Sequence, residues 1–225
     1  MIKRFRNRTE AGQMLASHLR TYANSKDLLV LGLARGGVPV AFEVAKALNA
    51  PLDVCIVRKL GVPGHHELAM GALAAGGIKV LNYDVINSLG IDWEAIRAVA
   101  AEELQELQRR DRTYRGNIPP INVKNKTVIL IDDGIATGSS IRAAIAIIKQ
   151  QQPAKIVVAV PVAPPSTYED LRVEVDEIVC LQIPADLSAI GIWYEDFTQT
   201  TDEEVRELLA KQSASSLGDV PQRGN

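Results

Sequence analysis

Short runs of branched apolar residues, separated by helical patterns, constrain the fold of this chain more than any other feature. The runs are Leu28–Leu33, Leu52–Val57, Thr127–Ile131 and Lys155–Val160, with a fifth candidate at Glu177–Ile183. A strand with one face in water alternates apolar and polar residues, whereas a strand buried on both faces is apolar almost throughout. These runs therefore predict a parallel sheet that is covered on both faces.

Amphipathic segments between the runs predict the helices that cover this sheet. They are Val38–Leu48, Asp92–Tyr114 and Ser139–Lys149, with a further helix ending near Tyr22 and another near Lys211. Asn7 or Thr9 can cap the first of the two further helices, and Thr201 or Asp202 can cap the second. The alternation of strands and helices predicts an α/β fold with a doubly wound, mainly parallel sheet.

The organisation along the chain predicts one domain with two irregular parts. The sequence has no internal repeat and no composition shift that marks a boundary, so we expect residues 1–212 to form a single domain. Residues 61–82 break the strand–helix rhythm, and the glycines of Glu67–Asn82 indicate a hairpin or a mobile flap. The tail, residues 213–225, is rich in Ser, Gly and polar residues, which predicts disorder.

Charge and hydropathy exclude two classes of partner. The formal net charge is −2 and the pI about 6.0, so the chain lacks the basic surface that binds nucleic acid. Charges or glycines interrupt every apolar run, and no apolar segment follows the basic N-terminus, which predicts a cytoplasmic protein without membrane contact. Cys55 and Cys180 lie in apolar runs and are interpreted as free, buried thiols, although a disulfide between them stays open.

The segment that carries chemistry runs from Ile131 to Ser140. A buried strand ends in Asp132 and Asp133, and a turn with two glycines and three hydroxyl side chains then leads into a helix. The first amides of a helix lack partners within it and lie at its positive end, so they suit a phosphate. A P-loop requires Gly-Lys-Ser/Thr, and this turn has no lysine; the first-strand turn lacks the spacing of a dinucleotide fingerprint.

The two carboxylates would repel a phosphate unless another group lies between them. An ionised carboxylate only accepts hydrogen bonds, and the cis-diol of a ribose presents two donors. Asp132 and Asp133 on the diol, with the turn around the 5-phosphate, would form one continuous site for ribose 5-phosphate. The phosphate-binding residues would be Gly134, Ile135, Ala136, Thr137, Gly138, Ser139 and Ser140. The alternative is an ordinary strand–turn–helix connection, which rarely combines all of these features.

The segment Asp132–Ser140 resembles the phosphoribosyl pyrophosphate motif of the type I phosphoribosyltransferases. The resemblance covers roughly Leu28 to Ile183, and the whole chain resembles the predicted phosphoribosyltransferases of bacteria. It implies displacement of pyrophosphate from phosphoribosyl pyrophosphate by a small-molecule acceptor, usually a nucleobase nitrogen, as in nucleotide salvage. It also implies dependence on Mg²⁺, held by Asp132 and Asp133, and it is compatible with a homodimer.

The resemblance assigns roles to three further segments. Arg35, Gly36 and Gly37 follow the first strand where the family has its pyrophosphate loop, although a plain Gly-Gly helix start with a surface arginine fits equally well. Arg58-Lys59-Leu60-Gly61 is similar to the Arg-Lys-Pro-Gly segment of adenine-type enzymes, with Leu60 in place of the proline. Arg58, Lys59 and Glu67 are therefore the candidate catalytic residues; Glu67 is the weakest, since loop glutamates are usually only solvated.

Residues 184–199 are the candidate for the hood that family members build over the base. Trp193 or Tyr194 could stack on a planar base, or Trp193 and Phe197 could pack this segment against the core. Ala136 stands where hypoxanthine-guanine enzymes carry an aspartate, which favours another acceptor. His65-His66-Glu67 does not have the spacing of a zinc site, because Met70 stands where the second histidine is required.

These residues are compatible with three functions to different degrees. The first is an enzyme that transfers the phosphoribosyl group with release of pyrophosphate. The second is a non-catalytic sensor that binds phosphoribosyl pyrophosphate or a nucleotide and regulates a partner. The third, a nucleotide hydrolase, is disfavoured, because Asp132-Asp133 does not give the Asp-x-Asp spacing of the phosphatases. The apparent pyrophosphate loop and flap favour the enzyme.

Overall fold

A computed structural model describes residues 4–77 and 79–217 of the chain; the side chains of His66, Glu67 and residues 215–217 are outside the description. The helices are α1 (Arg8–His18), α2 (Gly37–Leu48), α3 (Tyr83–Leu89), α4 (Trp93–Arg115), α5 (Ser139–Gln150), α6 (Pro165–Glu174) and α7 (Asp202–Leu217). The strands are β1 (Leu28–Leu33), β2 (Leu52–Cys55), β3 (Val57–Val62), β4 (His65–Ala74), β5 (Lys79–Leu81), β6 (Thr127–Ile131), β7 (Lys155–Val162) and β8 (Glu177–Gln182).

The main sheet has five parallel strands in the order β2-β1-β6-β7-β8. The predicted doubly wound, mainly parallel α/β fold is confirmed, and β1 and β6 have the predicted bounds. In β1, Leu28 and Val30 belong to a core on one face, whereas Leu29, Leu31 and Leu33 belong to a core on the other. All six residues of β1 are buried, which explains why the sequence shows no polar alternation here.

Helices cover both faces of this sheet. The first core contains apolar side chains of α1, α2, α4 and α7, and the second contains those of α5 and α6. The helix starts follow from their caps: Asn7 accepts from the Glu10 amide at 3.0 Å, and Thr201 accepts from the Glu204 amide at 3.1 Å. Asp92 accepts from the Ala95 amide at 2.7 Å, which begins the long helix α4.

A separate antiparallel sheet, in the order β3-β4-β5, occupies the part of the chain predicted as a hairpin or flap. The hairpin begins at Val57 rather than near residue 61, so Arg58 and Lys59 lie within a strand and not in a loop. The apolar pattern did not predict this start, because Leu52–Val57 reads as one continuous strand. In the structure the strand of the main sheet ends at Cys55, and Val57 begins the small sheet. Leu60 and Met70 are fully buried in the first core, which attaches this small sheet to the rest of the molecule.

The structure corrects several other boundaries. The first helix ends at His18 and is followed by a short 3-10 turn, Arg20–Tyr22, instead of continuing to Tyr22. Helices α3 and α6 were not predicted. Helix α7 continues to Leu217, beyond its predicted end near Lys211, and residues 218–225 lie outside the described residues, so the predicted disorder of the tail stays a prediction.

The predictions for the two cysteines and for membrane-spanning helices can also be compared with the structure. Cys55 and Cys180 are free thiols, Cys55 buried and Cys180 half-buried. Within the described ranges, no helix combines the length and the apolar character needed to cross a membrane.

Candidate functional site

The carboxyl ends of β1 and β6 bring two of the predicted segments together. Gly32 pairs with Ile131 in parallel register, so the turn after β1 and the acidic pair after β6 leave the sheet side by side. A Cβ on Gly37 would lie 2.4 Å from the Ile131 carbonyl oxygen and 2.9 Å from Asp132 Cα. The two turns therefore touch through their backbones, as expected for a crevice at the carboxyl edge of a parallel sheet.

Gly36 lies directly against the second carboxylate. A Cβ at this position would be 2.0 Å from Asp133 Oδ2 and 2.6 Å from its carboxyl carbon. The Gly36 backbone is right-handed helical, with φ −61°, so glycine is needed here for space and not for its conformational freedom. The preceding Ala34–Arg35 peptide is cis. The turn that carries Arg35 can therefore lie against the acidic pair because Gly36 has no side chain.

The loop 134–138 leads from the acidic pair into α5. Gly138 precedes the first helical residue with φ +76°, a left-handed conformation that favours glycine, and a Cβ there would meet Thr167 at 2.9 Å. The hydroxyls of Thr137 and Ser139 lie 3.0 Å apart. A cavity of about 180 Å³ is lined by Asp132, Gly134, Ile135, Ala136, Thr137, Gly138, Ser139, Ser140, Ile141 and Ile190. All seven predicted phosphate-loop residues and Asp132 therefore line one cavity at the start of a helix.

Side chains behind this loop hold its backbone. Thr167 donates to the Ala136 carbonyl at 2.9 Å, and the Ile135 amide donates to the Val162 carbonyl at 2.9 Å. Arg142 donates to the Thr137 carbonyl at 3.2 Å and is itself paired with Asp170 and Glu174. The bonds from Thr167 and Arg142 take up two loop carbonyls, an arrangement that suits an anion on the amide side, whereas the Ile135 amide is already used within the chain.

The acidic pair is electrostatically costly in the absence of a ligand. Asp133 is buried, with 9% of its surface exposed, and Asp132 beside it is half-buried. Burial raises the pKa of Asp132 well above its usual value, and the neighbouring charge of Asp133 raises it further. The Asp133 amide donates to Asp132 Oδ1 at 2.9 Å and offsets only part of this cost.

Arg8 is the residue that sequence reasoning missed. Its Nε and Nη2 lie 2.8 and 2.7 Å from the same oxygen, Asp133 Oδ2, and only 11% and 12% of the two side chains are exposed. Arg8 also donates to the Thr198 carbonyl at 2.7 Å and lies 4.0 Å above the Phe197 ring. The sequence carries no local signal for this pair, because 125 positions separate its members.

Arg35 is directed toward the start of α7. Its Nη1 lies 3.3 Å from Asp202 Oδ1, which also accepts from the Tyr114 hydroxyl at 2.8 Å. Arg109 donates to the other oxygen of Asp202 at 3.4 Å. These donors lower the pKa of Asp202, the Tyr114 hydroxyl most strongly. The turn after β1 is therefore tied to α4 and α7 through one carboxylate.

Arg58 and Lys59 line a second cavity, of about 630 Å³, that meets the phosphate loop at Ser140. Arg58 is paired with Glu103 of α4 at 2.5 Å, and Glu102 lies on the same wall. The structure thus places both predicted cations beside the loop. The side chain of Glu67 lies outside the described part of the chain, so its role stays a prediction.

Trp193 and Tyr194 do not offer a ring face to a base. Only 5% of Trp193 and 3% of Tyr194 are exposed. The Tyr194 ring packs 5.0 Å from Phe197 and 5.4 Å from Phe5, and its hydroxyl donates to the Asp133 carbonyl at 2.6 Å. Stacking on a base requires an exposed face. In this structure the two residues instead anchor the segment 184–199 to the core and to the backbone of the acidic pair.

The acidic pair fits a magnesium ion only in part. Among the described residues, no group of three or more His, Cys, Asp or Glu side chains is arranged to hold a metal. Mg²⁺ is usually bound through one or two carboxylates together with water and substrate phosphate oxygens. Asp132, half-buried at the cavity wall, is the carboxylate placed to hold such an ion.

The fold and this edge place the chain among the α/β proteins whose ligand crevice lies at the carboxyl ends of parallel strands. The phosphoribosyl transferase domain profile matches residues 1–195, and the chain belongs to this family. Two strains of Mycobacterium tuberculosis have relatives named "Putative phosphoribosyl transferase", each 46% identical over 208 residues. The match covers 92% of this chain and 47% of each relative, so the chain spans about half the length of these proteins.

A solved structure is similar over nearly the whole chain. The crystal structure of TT1426 from Thermus thermophilus superposes with a TM-score of 0.85 at 42% sequence identity. The superposition covers 93% of this chain and 99% of the Thermus protein. The predicted resemblance to the phosphoribosyltransferases is therefore confirmed at the level of family and fold.

Proposed function

We propose that this chain transfers a 5-phosphoribosyl group from phosphoribosyl pyrophosphate to a nitrogen nucleophile, such as a nucleobase, and releases pyrophosphate. The observation that carries the proposal is the meeting of three elements at one sheet edge. The acidic pair follows β6, a loop lined with amides and hydroxyls leads into α5, and the Arg35–Gly37 turn packs on the pair. Membership in the phosphoribosyl transferase family supports the same reaction.

Each element has a separate task in this proposal. The loop 134–140 binds the 5-phosphate through amides at the start of α5 and the hydroxyls of Thr137, Ser139 and Ser140. Asp132 and Asp133 accept hydrogen bonds from the ribose diol. The turn with Arg35, Gly36 and Gly37 binds the pyrophosphate, since an arginine fork and the backbone amides of a glycine turn suit a diphosphate.

The chemistry is a substitution at C1 of the ribose. The electron pair of the acceptor nitrogen forms a bond to C1 while the bond from C1 to the pyrophosphate oxygen breaks. The electrons of the broken bond leave with pyrophosphate, and the proton of the acceptor nitrogen passes to water. Arg58 and Lys59, on the wall of the adjoining cavity, would offset the negative charge that develops on the leaving group. A bound Mg²⁺ would neutralise part of the same charge, with Asp132 and Asp133 as its protein ligands.

Calorimetry with phosphoribosyl pyrophosphate and Mg²⁺ tests the binding part of the proposal. The double variant Asp133→Asn/Thr137→Ala should lose at least about 100-fold in affinity, because it removes a charged acceptor and a hydroxyl donor. The matched control is Asp27→Asn/Thr21→Ala, which makes the same two chemical changes at exposed positions before β1. Unchanged affinity in the first variant would refute the site, and so would a wild-type chain that does not bind.

Release of pyrophosphate tests the catalytic part. The wild-type chain should release pyrophosphate with at least one acceptor from a panel of nucleobases and small amines. Tight binding of phosphoribosyl pyrophosphate without release across the panel would instead indicate a sensor that uses the same site. Leu60, in place of the proline of the adenine-type segment, and Ala136 make the purine-specific patterns poor guides to the acceptor, so the panel has to include both pyrimidines and purines.

A further inference from the structure

Arg8 lies at the first position of α1, far from the acidic pair in sequence, and yet it makes the shortest charged contacts of that pair. Nε and Nη2 converge on Asp133 Oδ2 at 2.8 and 2.7 Å. The guanidinium is mostly buried, donates to the Thr198 carbonyl and contacts the Phe197 ring. The backbone of Arg8 is fixed as the first residue of α1. Contacts within the chain therefore set the position of Arg8 without a ligand.

The Arg8–Asp133 ion pair engages one of the two oxygens of Asp133. Arg8 occupies Oδ2, and Gly36 packs on the same oxygen closely enough to exclude a Cβ. The Tyr194 hydroxyl fixes the Asp133 carbonyl at 2.6 Å, so the backbone is held as well. A carboxylate oxygen that is bound on one side leaves the second oxygen as an oriented acceptor. The geometry also lowers the net negative charge beside the phosphate loop, because Arg8 neutralises one member of the pair.

We infer that Arg8 is a positioning residue for the sugar: it orients Asp133 so that the carboxylate can accept from the ribose diol. The inference rests on the proposed function, because it assumes that the diol binds to this carboxylate. It goes beyond that function by assigning a role to a residue of the first helix. It also explains why α1 and the segment 195–199 meet at the acidic pair, since Arg8 of α1 contacts both Asp133 and this segment.

A purely structural role for Arg8 makes a different prediction. If the residue only joined α1 to the core, its loss would lower stability and weaken every ligand by a similar factor. If it orients the diol acceptor, its loss would weaken ligands that carry the diol and spare those that lack it. The ratio of affinities for ribose 5-phosphate and 2-deoxyribose 5-phosphate separates the two roles, because a general loss of stability cancels in that ratio.

The experiment measures both affinities by calorimetry for the wild type, Arg8→Met, Arg8→Lys and the control Arg6→Met. Arg6 is a neighbouring arginine on the same segment, with 71% of its side chain exposed and a pair to Glu10. The wild type should prefer ribose 5-phosphate by about tenfold or more, the effect of one hydrogen bond to a charged group. Arg8→Met should reduce this preference to about twofold or less, and Arg6→Met should keep it.

Arg8→Lys covers the case in which Arg8→Met does not fold. Lysine keeps the charge but cannot place two nitrogens in the fixed fork of a guanidinium, so the preference should fall to an intermediate value. A full preference in Arg8→Met, or in Arg8→Lys if only that variant folds, would overturn the inference and leave the proposed function intact. A wild-type chain that binds neither sugar phosphate would overturn both, whereas loss of the preference in Arg8→Met alone supports the positioning role.

Discussion

The substitution Gly36→Ala gives a sharp test of how the two turns at the sheet edge fit together. The backbone of Gly36 is right-handed helical, with φ −61° and ψ −29°, so alanine can adopt it without strain. At such a position the change from glycine to alanine usually stabilises a protein by about 0.4–1 kcal/mol. In this chain we expect the opposite sign, because the new methyl group would lie 2.0 Å from Asp133 Oδ2.

The size of the effect follows from what can move. Ordinary contacts of a Cβ begin at 3.4 Å, so either the carboxylate or the turn has to shift by more than 1 Å. The carboxylate is held by Arg8 at 2.7 and 2.8 Å, and separating a buried ion pair costs about 3–5 kcal/mol. Moving the turn instead resembles overpacking of a core, which costs about 1–3 kcal/mol. Moving the turn costs less than separating the ion pair, so the free energy of unfolding should fall by about 1–3 kcal/mol.

Urea unfolding measures this change, and calorimetry with phosphoribosyl pyrophosphate measures its consequence for binding. The control is Gly90→Ala, at φ +61° and ψ +35° with no atom within 4 Å of the new methyl group, which should cost about 1–2 kcal/mol from the left-handed backbone alone. The control should bind the ligand as the wild type does, and Gly36→Ala should bind it more weakly. Gly36→Ala with wild-type stability and affinity would refute the close packing of the turn on Asp133.

Three further predictions concern groups that surround this edge. Asp132→Asn should stabilise the unliganded chain at neutral pH, by about 2–4 °C in Tm if the gain is near 1 kcal/mol, and should weaken ligand binding. The pKa of Asp132 is raised in the folded state, so the wild type loses stability as pH rises from the unfolded pKa of 3.8 through the folded one. Thermal melts should show a weaker decline of stability over that range in Asp132→Asn. Equal declines in the two proteins would contradict the raised pKa of Asp132. Asp202→Asn should release Arg35 and change the affinity for pyrophosphate by about three- to tenfold, with little change for ribose 5-phosphate; equal changes for both ligands would argue against a link between Asp202 and the pyrophosphate turn. Cys55 and Cys180 should react slowly with a thiol reagent at pH 8 and rapidly in urea, because burial raises the pKa of the two thiols to about 12 and about 11; fast reaction of both in the native chain would show that these strands are more open than described.

The sheet could be predicted from the sequence because its strands are buried on both faces. β1 and β6 are apolar at almost every position and were found with their observed bounds. The small sheet could not be found in this way. Its first strand contains Arg58 and Lys59 and follows β2 after one residue, so composition gave no sign of the break at Ile56. Helix α7 was predicted too short, because its last residues, Ser213-Ala214-Ser215-Ser216, look like a polar tail in the sequence.

In the candidate site, residues that are adjacent in sequence could be predicted, and residues that meet only through the fold could not. The loop 134–140 is continuous in sequence, and its chemistry could be inferred from the order of carboxylates, glycines and hydroxyls alone. Arg8 and Asp202 could not, since they meet the site across 125 and 167 positions. The prediction for Trp193 and Tyr194 rested on their aromatic character, which indicates a buried packing role as readily as a stacking role. Only the fold decides between the two, and here both rings are buried.

Several features that are unfavourable in the free chain lie together at the carboxyl edge of β6. A buried and a half-buried carboxylate are adjacent, a glycine packs tightly on the buried one, and the loop beyond enters its helix through a left-handed residue. Within the described residues, Arg8 is the cation that pairs directly with this doublet, and it compensates Asp133 but leaves Asp132 with a raised pKa. A ligand that supplies hydroxyl donors or a cation at Asp132 and an anion at the loop would relieve both costs at once. The cost of burying Asp132 beside Asp133 therefore supports the proposed sugar-phosphate site over an ordinary turn, because an ordinary turn would be more stable without that carboxylate.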